Sequence, residues 1–231
     1  MPEPRKPAPV ASLGKPLGIF GGTFDPVHFG HLRLAEEAAD SLGLERVRWI
    51  PAGRPAHREA PQVTPAQRLE MVRLAIAGNE RFELDPAEVE ADHPSYTVLS
   101  LERLRAAHEC GAARPLVLLL GADAFAGLPG WHRWEALIEL AHIAVVHRPG
   151  YPVVAAGLPP ALAELYRQRR SDSPSALAGA PAGRIVTFAM TQLDISATQI
   201  RRLLANGGSP RYLLPDALIA YIQRARLYVP R

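Results

Sequence analysis

Short apolar runs that stop at glycine or proline, each followed by apolar residues at helical spacing, constrain the fold of this 231-residue chain more than any other feature. Leu17-Gly18-Ile19-Phe20 stops at Gly21-Gly22, and Leu32, Ala35, Ala38, Ala39 and Leu42 then recur on one helical face. Val47-Arg48-Trp49-Ile50 stops at Pro51 and reads as a second strand. Thr64-Pro65-Ala66-Gln67 opens the next helix, with threonine as cap, proline at the first helical position and glutamine three residues after the cap. Phe82 to Leu84 is a short third strand, Thr97 to Cys110 a helix, and Leu116 to Leu120 a wholly apolar strand ending at Gly121. Trp134 to Leu140 is helical, Ile143 to Val146 and Ile185 to Phe188 are strands, and Ile195 to Ala205 and Pro215 to Arg226 are closing helices. This alternation predicts an α/β fold, a Rossmann-like doubly wound parallel sheet of five or six strands. A small helical C-terminal part covers about 195–231. Residues 17–231 are expected to form one domain behind a Pro-rich disordered tail, residues 1–16. Gly150 to Gly183, rich in Ala, Pro, Gly and Ser, reads as a variable excursion with one amphipathic piece at Leu162 to Arg167.

Composition narrows the function classes. Apolar residues make up 48% of the chain and charged residues 21%, enough apolar content for a sizeable core. The net charge is only +3, and Lys6 and Lys15 are the only lysines. Nearly all positive charge is therefore arginine, which suits bidentate phosphate binding. Its spread along the chain favours small anionic substrates over nucleic acid. Cys110 stands alone, so neither an intrachain disulfide nor a cysteine-rich zinc site can form. No apolar run approaches the roughly 18 residues of a membrane span. Residues 1–16 also lack an apolar signal-peptide core. The expectation is a cytoplasmic protein without membrane or nucleic-acid partners; no feature sets an oligomeric state.

In parallel sheets, ligands bind outside the carboxyl ends of the strands where the strand order reverses. Gly21 to His31 follows the first strand and opens the first helix. Its glycines allow close backbone approach, and the helix mouth offers N–H groups and a positive dipole end to an anion. His28 and His31, three apart with Gly30 between them, can both sit at that mouth. The dinucleotide fingerprint and the P-loop are absent, and no third metal ligand stands at useful spacing. Ile195-Ser196-Ala197-Thr198-Gln199-Ile200-Arg201 opens another helix after the last strand, where hydroxyls can cap or bind phosphate and Arg201 can reach a polyphosphate. Ser95-Tyr96-Thr97 precedes a helix, Asp123 and Trp131 follow the fourth strand, and Arg148 follows the fifth. Trp131 offers a flat face to an aromatic ring, and Arg148 offers charge to a phosphate.

The string GGTFDPVHFGH, Gly21 to His31, resembles the HxGH signature of the nucleotidylyltransferase superfamily, and most closely the bacterial nicotinate-nucleotide adenylyltransferases. Ile195 to Arg201 resembles the second signature, I-S-S-T-x-I-R, with Ala197 in place of the second serine. The resemblance runs from about Leu17 to Tyr228. It implies transfer of AMP from ATP to nicotinate mononucleotide, giving nicotinate adenine dinucleotide and pyrophosphate. It implies catalytic roles for His28, His31 and Arg201. Around ATP it places Gly21, Gly22, Thr23, Phe24, His28, Gly30, His31, Ser196, Thr198 and Arg201. Around the mononucleotide it places Tyr96, Thr97, Gly121, Asp123, Trp131, Arg148 and Arg58. Mg2+ would arrive with ATP, with no dedicated metal site. The family's P-P-H-K reads Pro55-Ala56-His57-Arg58 here, and its frequent aspartate after S-Y-T is Leu99. The competing readings are an enzyme for nicotinamide mononucleotide or for both acceptors, and a non-catalytic nucleotide-binding regulator.

Overall fold

Six strands, β1 (Leu17–Gly22), β2 (Arg46–Pro51), β3 (Phe82–Leu84), β4 (Leu116–Gly121), β5 (His142–His147) and β6 (Ile185–Ala189), pair in parallel in the order β3-β2-β1-β4-β5-β6. The computed structural model describes residues 13–56, 60–107 and 113–229. Leu17 aligns with Arg46 of β2 on one side and with Leu116 of β4 on the other. The strand order therefore reverses between β1 and β4, and the crevice at their carboxyl ends is the expected ligand position.

Alternation along the buried strands divides the core in two. Leu116, Leu118 and Leu120 join Ile19, Ile50, Ile143 and Val145 on one face. Val117 and Leu119 join Phe20, Trp49, Ala144 and Val186 on the other. The first face is covered by α4 (Thr97–Ala106), α6 (Leu137–Leu140) and α7 (Pro160–Arg169), through Leu101, Leu104, Leu137 and Leu162. The second is covered by α1 (Phe29–Leu42), α2 (Pro65–Ile76), α8 (Ala197–Ala205) and α9 (Asp216–Arg224), through Ala35, Met71, Ile200 and Leu218. Each fully buried leucine or isoleucine contributes about 1.5–3 kcal/mol by leaving water.

Several boundaries differ from the sequence reading. Helix α4 ends at Ala106, where the Ala107 N–H donates to the Arg103 carbonyl; Cys110 lies outside the described residues. Helix α8 starts at Ala197 because Ser196 is its cap. Two short helices, α3 (Ala87–Glu90) and α5 (Ala122–Ala126), are too brief for a periodicity to reveal. The excursion after β5 is not a pendant loop. Leu162 and Tyr166 of α7 are buried in one core and Leu177 in the other. Of the expected tail, residues 1–12 lie outside the described residues, while Pro16 already accepts from the Glu45 N–H at 2.9 Å. No helix among the described residues is long and apolar enough to cross a membrane.

Candidate active site

The loop between β1 and α1 is held by packing and by buried charge. Phe24 takes a left-handed backbone, φ 51°, which is strained for a bulky residue. Its ring is buried edge-on to Phe20 at 5.5 Å and to His31 at 5.2 Å. A Cβ on Gly22 would come within 2.9 Å of that ring, so this glycine makes room for Phe24. Asp25, also buried, accepts from the Tyr228 hydroxyl through Oδ1 at 2.6 Å and from the Gln62 N–H through Oδ2 at 2.9 Å. Arg68, fully buried on α2, donates to the Thr23 carbonyl at 2.9 Å, to Ala52 at 2.5 Å and to Gly53 at 2.9 Å. One guanidinium thereby fixes the loops after β1 and β2 against each other.

His28 caps α1, and its ring stacks on that of His31 with centroids 3.8 Å apart. The His28 N–H donates to His31 Nδ1 at 3.3 Å. Burial lowers the His28 pKa to about 4, so the ring is neutral at pH 7. His28 Nδ1 is buried with no hydrogen-bond partner among the described residues. A Cβ on Gly30 would meet the His28 ring at 3.0 Å and the Ile195 carbonyl at 3.6 Å. The glycine thus lets the start of α1 close onto the segment that leads into α8. Not every donor at this helix mouth is open, because Phe29 N–H donates to the Leu213 carbonyl at 3.1 Å.

The two signatures, far apart in sequence, meet here. Arg201 Nη1 donates to the Asp25 carbonyl at 2.7 Å, and Nη2 to Thr198 Oγ1 at 3.2 Å. Ser196 Oγ accepts from the Gln199 N–H at 3.2 Å, the ordinary N-cap contact. Both hydroxyls are engaged within the first turn of α8. Arg201 keeps further N–H groups beyond those two bonds.

The residues expected around the second substrate also lie at strand ends, beyond β3, β4 and β5. Ser95 Oγ accepts from the Gly53 and Arg54 N–H groups at 2.9 and 3.2 Å, tying the loop after β2 to the one before α4. Tyr96 caps α4, Thr97 is its first residue, and the Tyr96 ring stacks on His132 at 4.5 Å. Gly121 ends β4 and Asp123 lies exposed in α5. Trp131 is half-buried and packs against the α4-side core. Arg148 is exposed just past β5. Leu99, where the family often has aspartate, packs against the same core as Trp131. Arg58 lies outside the described residues. Sequence reasoning passed over Arg68, Tyr228 and Glu88. Glu88 accepts from Ser100 Oγ at 2.5 Å and hydrogen-bonds Ser95; burial raises its pKa. A single charged residue on an apolar helical face, as Arg68 is, was the one available signal.

Among the described residues, no three His, Cys, Asp or Glu side chains gather to hold a metal ion. The arrangement gathers groups suited to phosphate: a histidine pair, a helix mouth and a guanidinium at a topological switch point.

Comparison with known proteins places this geometry in a family context. The cytidylyltransferase-like family model matches residues 19–203. A protein of Dechloromonas aromatica (strain RCB), named a probable nicotinate-nucleotide adenylyltransferase, is 64% identical over 94% of this chain and 99% of its own length. One of the same name from Pseudomonas putida (strain W619) is 51% identical over 92% of this chain and 94% of its own. In fold, the chain is similar to a Plasmodium falciparum nicotinic acid mononucleotide adenylyltransferase complexed with NaAD. The TM-score is 0.69 at 14% identity, over 93% of this chain and 98% of that one.

Proposed function

The chain belongs to the cytidylyltransferase-like family and, within it, to the nicotinate-nucleotide adenylyltransferases, and from that premise we propose that it transfers AMP from ATP to nicotinate mononucleotide. The products are nicotinate adenine dinucleotide and pyrophosphate. A 5′-phosphate oxygen of the mononucleotide bonds to the α-phosphorus of ATP, and the bond from that phosphorus to the pyrophosphate oxygen breaks. The nucleophile is already ionised at neutral pH, so no general base is required. Catalysis then rests on alignment and on donors that meet charge developing on the phosphoryl oxygens. The observation that carries this reading is the stacked His28–His31 pair at the mouth of α1, beside the Arg201 guanidinium.

In this reading His31 serves the α-phosphoryl group. Arg201 and the start of α8 serve the pyrophosphate side, and the backbone from Gly21 to Phe24, with Gly30, lines the ATP half. Tyr96, Thr97, Gly121, Asp123, Trp131, Arg148 and Arg58 serve the mononucleotide. Mg2+ enters as part of the ATP substrate. A cytoplasmic setting belongs to the same proposal, as does one domain over residues 17–231.

The acid form of the acceptor is preferred. Thr97 opens α4, and the N–H groups of Thr97 and Val98 come too early in the helix for an intrahelical acceptor, whereas the Leu99 N–H already donates to the Tyr96 carbonyl at 3.0 Å. Such donors suit a carboxylate, whereas the NH₂ of an amide would face donors and go unpaired, at about 1–3 kcal/mol. Competition of the two mononucleotides for limiting enzyme measures the ratio of specificity constants. The expected ratio is roughly tenfold or more in favour of the acid. A ratio near one, or favouring the amide, overturns the acceptor assignment. Absence of pyrophosphate release with every acceptor would favour the regulator instead.

A further inference from the structure

The buried contact between Tyr228 and Asp25 has no part in the chemistry described above, yet it reaches the centre of the ATP half. Tyr228 lies just beyond α9 and takes a left-handed backbone, φ 63°. It is 8% exposed, and its hydroxyl is 2.6 Å from Asp25 Oδ1. The other carboxylate oxygen, Oδ2, takes the Gln62 N–H and lies 4.0 Å from Arg201 Nη1. That nitrogen donates to the Asp25 main-chain carbonyl at 2.7 Å. The carboxylate therefore meets Arg201 only at the outer limit of an ion pair, without a direct hydrogen bond between the two side chains. An aspartate this near a guanidinium would ordinarily close into a direct, bidentate pair. Here both of its oxygens are already occupied, one by Tyr228 and one by the Gln62 backbone.

We propose that Tyr228 is a positioning residue for the ATP half of the site: its hydroxyl holds Asp25 away from a direct ion pair and so leaves the Arg201 guanidinium available to the polyphosphate. This rests on the adenylyltransferase reading. Arg201 then has one N–H on the loop carbonyl, one on Thr198, and others to offer an incoming anion. Without the tyrosine hydroxyl, Oδ1 is left buried and unpartnered. Two guanidiniums face it, Arg68 and Arg201, each with a buried Nε that has no hydrogen-bond partner among the described residues. Oδ2 already stands 4.0 Å from Arg201 Nη1, so a carboxylate released from Tyr228 turns toward Arg201 and competes with ATP for it.

The test compares wild type with Tyr228→Phe, which removes one atom and keeps the packed ring, in steady-state assays with ATP and nicotinate mononucleotide varied separately. The expected result is a KM for ATP raised about tenfold or more, the scale of one charge-assisted hydrogen bond, with the KM for the mononucleotide within about twofold of wild type. Asp25→Asn combined with Tyr228→Phe supplies a second reading, because an amide cannot form the competing ion pair. In the double variant the KM for ATP falls back toward wild type. A tyrosine that only anchors the chain end predicts otherwise: Tyr228→Phe lowers Tm with both KM values unchanged, or the double variant binds ATP more weakly than the single one. Either result overturns the proposal. Wild-type enzyme that turns over neither substrate would instead remove the adenylyltransferase reading itself, so the two failures are told apart.

Discussion

Because the His28 N–H donates to His31 Nδ1 at 3.3 Å, a neutral His31 carries its proton on Nε2. In the proposed reaction that Nε2–H is the group that serves a phosphoryl oxygen. His31→Ala should keep the fold, checked by circular dichroism, and lower turnover roughly 10²–10³-fold, as for a lost oxyanion donor. Pyrophosphate release above about half the wild-type rate would show that His31 does not contact the reacting group. His28 carries a different prediction. Its folded pKa, about 4, lies below the ordinary 6.5 because burial penalises the charged ring. The unfolded chain therefore binds the proton more readily. The stability contributed by a neutral His28 is complete above pH 6.5 and is lost as pH falls toward 4, up to about 3 kcal/mol. Urea unfolding of wild type and His28→Asn across that window should show the acid-side loss shrink in the variant. Identical pH profiles would refute the assignment. The histidines were legible in the sequence as a pair at a helix mouth. Their stacking and the proton's location were not, because both depend on a backbone N–H that spacing cannot orient.

At the scale of elements, the loop after β2 is the joint between the two halves of the site. Its Gly53 donates through N–H to Ser95 and accepts through its carbonyl from Arg68. A methyl group at Gly53 would overlap the Glu88 carbonyl of α3, which is backbone and cannot swing aside. Gly53→Ala should therefore cost roughly 3 kcal/mol in chemical denaturation, the upper range for overpacking. It should also raise the KM for the mononucleotide, because Ser95 must move with the loop. Wild-type stability in this variant would mean that α3 yields more easily than a packed backbone should. Strand positions were readable from apolar runs and terminators. The short α3 and the packing of α7 were not, since one turn has no period and a Pro- and Gly-rich stretch resembles a loop until its apolar residues find a core.

Across the whole molecule, Arg201 and Asp25 are 176 residues apart in sequence and joined by a 2.7 Å hydrogen bond. Removing the guanidinium acts in two ways. On the proposed function it withdraws a phosphate ligand, and it releases the loop that carries His28. Arg201→Ala should weaken ATP by about 1.5–3 kcal/mol, the scale of a charge-assisted hydrogen bond, and leave the mononucleotide nearly unchanged. Calorimetric titration of each substrate checks this. Loss of mononucleotide affinity alone would move Arg201 to the other subsite. Arg201→Lys should restore little, because a lysine cannot serve the Asp25 carbonyl, Thr198 and a phosphate from one planar fork.

The parallel sheet, its helical cover and the two segments proposed to face phosphate were already legible in the sequence. Each of these is written in local periodicity, caps and terminators within a few neighbouring residues. Tertiary structure alone decided what holds those segments together. Arg68 reads in sequence as a charge on an otherwise ordinary helix, and only the fold aims it at the carbonyls of Thr23, Ala52 and Gly53. Tyr228 reads as an aromatic near the chain end, and only the packing of α9 against the core brings its hydroxyl to Asp25. Buried polar groups must be satisfied, but their partners come from any part of the chain, so the demand is local while its solution is not.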